Sequence, residues 1–260
     1  MNLARLKPIV DRNWSDIKLI ATDMDGTLTN AEIFDASLFE TLDKLAAAGI
    51  KVLITTGRSA GWVQAIATYL PVEGVMAENG GLLYWQDNIQ PQFMAEMNIK
   101  EHRQNLSKVF GLLKSNFPHL IESEDNRFRL TDWTFEVEGL SWQELEKIES
   151  ICQSEGYGFT HSSIQCHIKP DYQDKAFGLN QIISQYFSSL KPHEFFTIGD
   201  SPNDESMFDP KQFPLSVGVA NVAKYSDRLR YLPAYITTKS EGEGFSELAE
   251  LIMTHASQAT

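Results

Sequence analysis

The sequence predicts an α/β protein in which a parallel sheet carries helices on both faces and a small α+β unit is inserted into the chain. In the first third, short apolar runs alternate with amphipathic stretches of helical length, and this alternation returns in the last third. Strand-then-helix order favours a parallel sheet, because parallel neighbours need a crossover connection, which is usually a helix. The middle third has an antiparallel character instead.

The elements of the sheet are expected in the following order. The first third reads IKLIAT, the helix SLFETLDKLAAAG, KVLITT, the helix AGWVQAIATYL, and GVMAE. The last third adds the helix AFGLNQIISQYFSSL, the runs EFFTIGD, PLSVGVA and AYITT, and a closing helix, GFSELAELIMTHA. Each strand-like run is short and apolar, which is typical of a buried parallel strand.

The middle segment, from about Tyr84 to Asp171, is expected to form a separate unit. Its helices are HRQNLSKVFGLLKSNF and SWQELEKIESICQ, and its runs RFRLTDWTFEVEG and SIQCHIK alternate like half-exposed antiparallel strands. We therefore expect a discontinuous core domain over residues 1–83 and 172–260 and an inserted domain over residues 84–171.

Composition and charge limit the partners. The chain has 260 residues, of which 42% are apolar, and a formal net charge of −13, which argues against a nucleic-acid partner. No apolar run approaches the roughly 20 residues that span a bilayer. The N-terminus lacks the apolar core of a secretory signal.

Cys152 and Cys166 are not paired by spacing, so we expect buried free thiols and, by default, a cytoplasmic protein. The oligomeric state is left open.

Two aspartates stand one residue apart at the end of the first strand-like run. In extended backbone, Asp23 and Asp25 point to one side and Met24 to the other. Like charges held this close are costly unless a cation lies between them or one carries a proton. The pair therefore predicts either a metal site or an acid–base pair.

Polar residues also follow other predicted strands or open a helix. They are Thr56, Gly57 and Arg58 after KVLIT, Lys175 at the start of KAFGLNQIISQYF, and Asp200, Asn203 and Asp204 after FFTIG. Ligands bind in open parallel sheets beyond the carboxyl ends of the strands. Each of these signals is weak when taken singly, since strand-end threonines often cap helices and helix-start lysines are usually solvated.

Taken together, the set DxDGT, TTGR, K and GDSPND, in this order, resembles the haloacid dehalogenase-like hydrolase superfamily. It is most similar to the Cof-type, magnesium-dependent phosphatases with a type IIB cap. The segment AENGG, Ala77 to Gly81, resembles the hinge that leads into that cap. The resemblance implies a Rossmann-like core and a compact type II cap of the αββαββ kind.

The resemblance also implies roles for the acidic residues. Asp23 is the expected nucleophile, which forms an aspartyl-phosphate. Mg²⁺ is expected on Asp23, the backbone carbonyl of Asp25, and Asp200, while Asp204 holds a metal-bound water or ligates weakly. Asp25 is expected to protonate the leaving alcohol and then to activate water.

The expected phosphate-binding groups are the Thr56 hydroxyl, backbone N–H groups near Gly57, and Lys175. Asn203 is expected either to orient Lys175 or to contact the phosphate. Arg58 either reaches the substrate or caps a helix, and the sequence favours neither.

The expected function is Mg²⁺-dependent hydrolysis of a small soluble phosphomonoester of the sugar phosphate, phosphoglycolate or glycosyl-phosphoglycerate type. Two alternatives stay open: a sugar phosphomutase, and a catalytically silent metabolite-binding protein. Polar cap residues that could meet the substrate are Arg127 and Arg129, which are expected to share one strand face, His167 and Lys169, which are expected to share another, and His161.

Overall fold

Two separate sheets organise the part of the chain that the computed structural model describes, residues 6–88 and 90–259. The strands are β1 (Lys7–Pro8), β2 (Leu19–Thr22), β3 (Lys51–Thr55), β4 (Gly74–Ala77), β5 (Leu82–Trp85), β6 (Gln92–Phe93), β7 (Trp133–Glu136), β8 (Tyr157–His161), β9 (Gln165–Pro170), β10 (Phe195–Gly199), β11 (Ser216–Gly218) and β12 (Tyr235–Ile236). The helices are α1 (Ala36–Ala47), α2 (Ala60–Tyr69), α3 (Ile99–Asn116), α4 (Trp142–Ser154), α5 (Lys175–Tyr186) and α6 (Glu241–Ala259). Short 3-10 helices cover Ile9–Asp11, Glu124–Phe128, Pro202–Phe208 and Ala220–Tyr225.

The larger sheet has the strand order β1-β12-β11-β10-β2-β3-β4-β5-β6. In this spatial order, every pair of adjacent strands from β1 through β12, β11, β10, β2 and β3 to β4 is parallel. Helices cover both faces of this sheet, as strand β2 shows. Ile20 points to one face and packs with α1, α2 and α6, whereas Leu19 and Ala21 point to the other face and pack with α5. The predicted parallel sheet with helices on both faces is therefore confirmed.

The large sheet ends in an antiparallel extension. Strand β5 pairs with β4, and β6 pairs with β5, both antiparallel. The sheet therefore continues through Phe93, past the boundary expected at residue 84, because the apolar run from Leu82 to Trp85 pairs with β4. We propose that the inserted domain begins between Phe93 and Ile99. The outermost expected limits, residues 1 and 260, lie outside the described residues.

The smaller sheet has the order β7-β9-β8 and is antiparallel throughout. Helices α3 and α4 contact it, and Cys152 and Cys166 lie as buried free thiols in the shared apolar core. This arrangement of two helices on one face of a sheet fits a cap. A single bridge between Glu122 and Phe135 stands beside β7, so the described residues contain three full strands of the implied αββαββ pattern. Strand β9 is buried along its whole length, unlike the half-exposed strand that its alternation predicts.

The turn between β4 and β5 is tightly packed. Glu78 and Asn79 both adopt positive φ angles, 52° and 53°, and Gly80 follows at 95°. A Cβ atom on Gly80 would collide with the backbone carbonyl of Asp174, so only glycine allows helix α5 to approach this turn. No helix among the described residues is both long and apolar enough to span a membrane.

Candidate active site

Asp23, Thr56 and Asp200 lie at one edge of the large sheet, each directly after the end of a strand. Their strands β2, β3 and β10 are parallel neighbours, so the three carboxyl ends meet at that edge. This is the edge at which ligands bind in open α/β sheets. The sheet thus brings together residues that are far apart in the sequence.

A buried ammonium group joins two of the aspartates. Lys175 is the first residue of α5 and is fully buried. Its Nζ lies 2.5 Å from Asp23 Oδ1 and 2.6 Å from Asp204 Oδ1. Removing Lys175 would leave both buried carboxylates without this positive partner.

The other carboxylates are held by backbone and amide donors. Asp204 Oδ2 accepts the backbone N–H groups of Asp200 at 2.9 Å and Ser201 at 3.1 Å. Asn221 donates from Nδ2 to Asp200 Oδ2 at 2.7 Å and to the Gly26 carbonyl at 3.0 Å. Gly26 has a φ of +82°, and a Cβ there would lie 2.9 Å from Asp200 Oδ2. The tight turn after Asp25 therefore needs glycine.

The site carries more negative than positive charge. Burial and the nearby carboxylate of Asp204 raise the pKa of Asp23 to about 7, although Lys175 acts in the opposite direction. Burial and the carboxylate of Asp23 likewise raise the pKa of Asp200 well above its usual range. Burial alone would lower the pKa of Lys175, but Asp204 and Asp23 raise it above its ordinary value. The ammonium is therefore charged, and one ammonium does not balance three carboxylates.

The acidic cluster fits a hard divalent cation. Asp23, Asp200 and Asp204 each offer an oxygen, and these oxygens lie within 4.8 Å of one another. The Asp23 Oδ2 atom is buried and has no hydrogen-bond partner. An acceptor oxygen left without a donor in a buried anionic cluster needs a cation or a substrate atom. The Asp25 side chain is not part of this cluster.

Asp25 is instead paired with Arg58. The guanidinium donates from Nε to Asp25 Oδ2 at 2.9 Å and from Nη2 to Oδ1 at 2.7 Å. The guanidinium also lies over the Trp62 ring, 5.3 Å from its centroid. Of the two uses that the sequence suggested for Arg58, helix cap or substrate contact, neither describes this pair. Asp23 and Asp25 do line one cavity, while Met24 lies in the core.

The predicted phosphate-binding residues are placed differently from one another. Thr56 is fully buried, and its hydroxyl accepts the backbone N–H of Arg58 at 3.1 Å. Gly57 and Asn203 line the cavity beside Asp23. Asn203 does not contact Lys175 but donates from Nδ2 to Asn79 Oδ1 at 3.0 Å.

Strand β9 and the connection that precedes it line the side of the cavity opposite Asp23 and Asp25. The residues that they contribute are Ser162 and Ile164 from the connection and Gln165 and His167 from β9. His167 lies so close to Gly57 that a Cβ there would be 3.0 Å from the imidazole Cε1. Sequence reasoning named His167 but missed Ser162 and Gln165.

Comparison with known proteins accounts for this arrangement. A family model described as haloacid dehalogenase-like hydrolase matches residues 20–133, which include the DMDGT and TTGR segments. A phosphoglycolate phosphatase from Thermoplasma acidophilum is 25% identical over 234 residues, covering 89% of this chain and 96% of that protein. The chain is thus similar to haloacid dehalogenase-like hydrolases over residues 20–133 and to named phosphatases over most of its length.

Solved structures support the same fold for this chain. A crystal structure of a Thermoplasma acidophilum protein aligns with a TM-score of 0.71 at 22% identity, covering 92% of this chain and 98% of that one. A sugar phosphatase of haloacid dehalogenase subclass IIB aligns with a TM-score of 0.63 at 15% identity, covering 91% and 98%. The similarity includes the region that carries the smaller sheet, which fits the cap of this hydrolase family.

Two of the cap expectations differ in outcome. Arg127 and Arg129 were expected to share a strand face, and this is wrong, because residues Glu124–Phe128 form a 3-10 helix that leaves Arg127 exposed and Arg129 buried. His167 and Lys169 do share a face of β9, and both are buried.

Arg129 has a structural environment within the cap. It pairs with Asp132 at 2.9 Å and Asp125 at 2.9 Å, and it donates from Nη1 to the Gly57 carbonyl at 2.8 Å. His167 shares Asp132, with 2.8 Å between Nδ1 and Oδ2. Burial lowers the pKa of His167 despite this contact. Arg129 therefore ties the cap to the turn at Gly57 in the core.

Proposed function

We propose that this protein is a Mg²⁺-dependent phosphatase that cleaves small phosphomonoesters through an aspartyl-phosphate on Asp23. The observation that carries the proposal is the state of the Asp23 carboxylate. Its Oδ1 accepts a hydrogen bond from Lys175, while its Oδ2 is buried without a partner beside two further carboxylates. A positioned, unpartnered oxygen is what a nucleophile needs.

The chemistry proceeds in two steps at phosphorus. Asp23 Oδ2 forms a bond to phosphorus as the bond to the leaving alcohol breaks, and Asp25 gives its proton to that alcohol. Asp25 then takes a proton from water, whose oxygen bonds to phosphorus as the Asp23–phosphorus bond breaks. Inorganic phosphate leaves, and both aspartates return to their starting states.

The ion pair between Arg58 and Asp25 suits the second step. A guanidinium that donates to both oxygens stabilises the ionised carboxylate, which is the form that accepts a proton from water. In the first step one of the two hydrogen bonds must open, since one oxygen of Asp25 then carries the proton that it gives to the alcohol. The other contact with Arg58 keeps the carboxyl group in position.

The Mg²⁺ ligands would be Asp23, Asp200 and the backbone carbonyl of Asp25. Asp204 would act through a water molecule, since its oxygens already accept Lys175 and two backbone N–H groups. When bound, the cation would offset the excess negative charge and allow an anionic phosphoryl group to approach Asp23. Lys175 adds a positive charge at the other oxygen of Asp23, Oδ1.

The phosphoryl oxygens would be bound by groups around Gly57. The Thr56 hydroxyl accepts one hydrogen bond from Arg58 and so keeps its own proton to donate. The Gly57 backbone lines the cavity, and Asn203 lies opposite. These donors would act with Lys175 on the charge of the transferring group.

The substrate is proposed to be a compact soluble metabolite, because the cap roofs a narrow cavity over Asp23. Relatives named phosphoglycolate phosphatase and a structural neighbour named sugar phosphatase support this class. The cytoplasm stays our prediction for its location.

Turnover of p-nitrophenyl phosphate with and without Mg²⁺ tests the proposal. We expect Mg²⁺-dependent release of inorganic phosphate by the wild-type protein and none by Asp23→Asn. No turnover under either condition would favour a silent binding protein. Conversion of a hexose phosphate into its isomer, without inorganic phosphate, would indicate a mutase.

A further inference from the structure

The face of the cap sheet that covers the site carries one cation without a partner. Along β9, Gln165, His167 and Lys169 alternate with Cys166 and Ile168, which lie in the apolar core of the cap. The first three side chains therefore point away from that core and towards the large sheet. Gln165 and His167 line the cavity over Asp23.

Lys169 differs from the other charged groups of this face. Lys169 is only 6% exposed. Its ammonium group makes no hydrogen bond or ion pair with residues 6–88 or 90–259. Arg129 is equally buried but is neutralised by Asp125 and Asp132. Burying an unpaired charge costs several kcal/mol unless something compensates it. Burial lowers the pKa of Lys169, while the charges of Asp174 and Asp171 act in the opposite direction.

Lys169 faces a cleft that adjoins the catalytic cavity. Asn79, Asn203 and Lys169 line this cleft, and Asn203 also lines the cavity that contains Asp23. The Asn79 side-chain nitrogen is buried and has no acceptor, because its Oδ1 receives Asn203. Two donors beside one cleft thus lack acceptors, which points to a ligand that brings oxygen atoms.

The acidic residues of the cleft do not neutralise Lys169. Asp174 caps α5 by accepting the Phe177 backbone N–H at 2.7 Å. Glu205 accepts backbone N–H groups of Arg230 and Tyr231. Arg230, which is exposed, also lines this cleft, and the two acids offset part of the positive charge of Lys169 and Arg230. A singly charged group therefore fits here better than a second phosphate.

We propose that Lys169 determines specificity by binding a carboxylate on the substrate, so that the preferred substrates are phosphorylated carboxylic acids. This inference rests on the proposed phosphatase activity at Asp23. The phosphoryl group would lie over Asp23, and the rest of the molecule would pass Asn203 to reach Lys169. A substrate with a neutral tail would leave the buried ammonium unpaired, which penalises it.

The test compares matched substrates that differ in the carboxylate. The pairs are 2-phosphoglycolate with ethyl phosphate, and 3-phosphoglycerate with glycerol 3-phosphate. The variants are Lys169→Met, which keeps the length of the chain, Lys169→Arg, which keeps the charge, and Lys147→Met, which removes an exposed lysine of α4 as a control.

In the wild-type protein we expect kcat/KM to be higher for the carboxylate member of at least one pair. Lys169→Met should lower that kcat/KM by about 10- to 100-fold, mostly through KM, since a hydrogen bond to a charged group is lost. The neutral member should change by less than about threefold, and Lys169→Arg should recover part of the loss. The melting temperature of Lys169→Met should equal or exceed that of the wild type, because a buried charge is removed.

Other results would overturn the inference. Equal losses on both members of each pair would mean that Lys169 only supports the structure, and no loss on either would mean that it contacts no substrate. A preference for a bisphosphate that Lys169→Met abolishes would assign the cleft to phosphate instead. In all three cases Mg²⁺-dependent phosphatase activity would persist. Absence of any turnover by the wild type would contradict the phosphatase itself, and the carboxylate inference with it.

Discussion

Arg58 and Asp25 form a two-point ion pair in the lining of the cavity that contains Asp23, with N···O distances of 2.9 and 2.7 Å. The pair joins the turn after β2 to the turn after β3, so it positions the residue that we assign as acid and base. Because both carboxylate oxygens are engaged, the side chain has one orientation in this state.

Replacing Arg58 by methionine should therefore impair proton transfer without unfolding the protein. We expect kcat/KM for an alkyl phosphate to fall by roughly 10- to 100-fold, since a misplaced catalytic group costs rate. p-Nitrophenyl phosphate, whose leaving group needs little protonation, should be affected less. Arg127→Met, at an exposed cap arginine, is the control. Equal losses on both substrates would contradict a role through Asp25.

Asp23→Asn and Asp204→Asn should differ in their effects on the free energy of unfolding. Asp23 has an unpartnered oxygen in a cluster of excess negative charge, so its neutralisation in metal-free protein should leave the free energy of unfolding unchanged or raised. Asp204 accepts Lys175 and two backbone N–H groups, so an amide there should cost about 1–3 kcal/mol. Urea denaturation measures both. A destabilised Asp23→Asn variant would contradict our description of the cluster.

Mg²⁺ should raise the melting temperature more at pH 8 than at pH 5.5. The pKa of Asp23 is raised to about 7 in the folded protein, so the folded state binds this proton more tightly than the unfolded state does. In metal-free protein, protonation of Asp23 therefore stabilises the folded state at low pH. This contribution is lost as pH rises from about 4 through 7. Mg²⁺ binds the deprotonated carboxylates and should reverse that loss.

Differential scanning fluorimetry in EDTA and in Mg²⁺ checks this prediction without an activity assay. Asp200→Asn should reduce the response to Mg²⁺, whereas Asp209→Asn, at a carboxylate outside the acidic cluster, should not. A response to Mg²⁺ that was independent of pH and of Asp200 would place the metal elsewhere.

Glu78 should act as a latch between core and cap. One carboxylate oxygen accepts the Ala60 backbone N–H at 2.8 Å, and the other accepts the Thr131 N–H and hydroxyl at 2.5 and 2.8 Å. The Leu130 N–H lies 3.0 Å from both oxygens. Glutamine would turn an amide donor towards these donors, so Glu78→Gln should destabilise the protein by about 1–3 kcal/mol.

Limited proteolysis should then cut the connection between core and cap faster in Glu78→Gln than in wild type. Glu73→Gln, at a surface pair with Lys51, serves as the matched control because exposed ion pairs contribute little. Unchanged proteolysis and stability in Glu78→Gln would show that the latch is not needed.

The sequence predicted the parallel core well because each strand and helix there has its own periodicity. It placed the boundary of the inserted domain at residue 84, inside strand β5, since an apolar strand carries no local sign of which sheet it joins. It also assigned Arg127 and Arg129 to a strand, because alternation over a few residues does not distinguish a strand from a 3-10 turn.

The aspartates of the candidate site could be found because they follow strands that end at one edge of the sheet. Asn221, which binds Asp200, was missed, although it too follows a predicted strand, PLSVGVA. The pairing of Arg58 with Asp25 and the approach of Gln165 could not be read from sequence. They depend on how two turns and the docked cap meet in space.

Mass spectrometry of Asp25→Asn after rapid mixing with Mg²⁺ and p-nitrophenyl phosphate tests the central claim most directly. Without its base, this variant should retain a phosphoryl group on the peptide that contains Asp23, and turnover should fall by roughly 10²- to 10⁴-fold. Adding Asp23→Asn should abolish the label. A fully active Asp25→Asn variant, or a phosphoryl group on any other residue, would contradict the account.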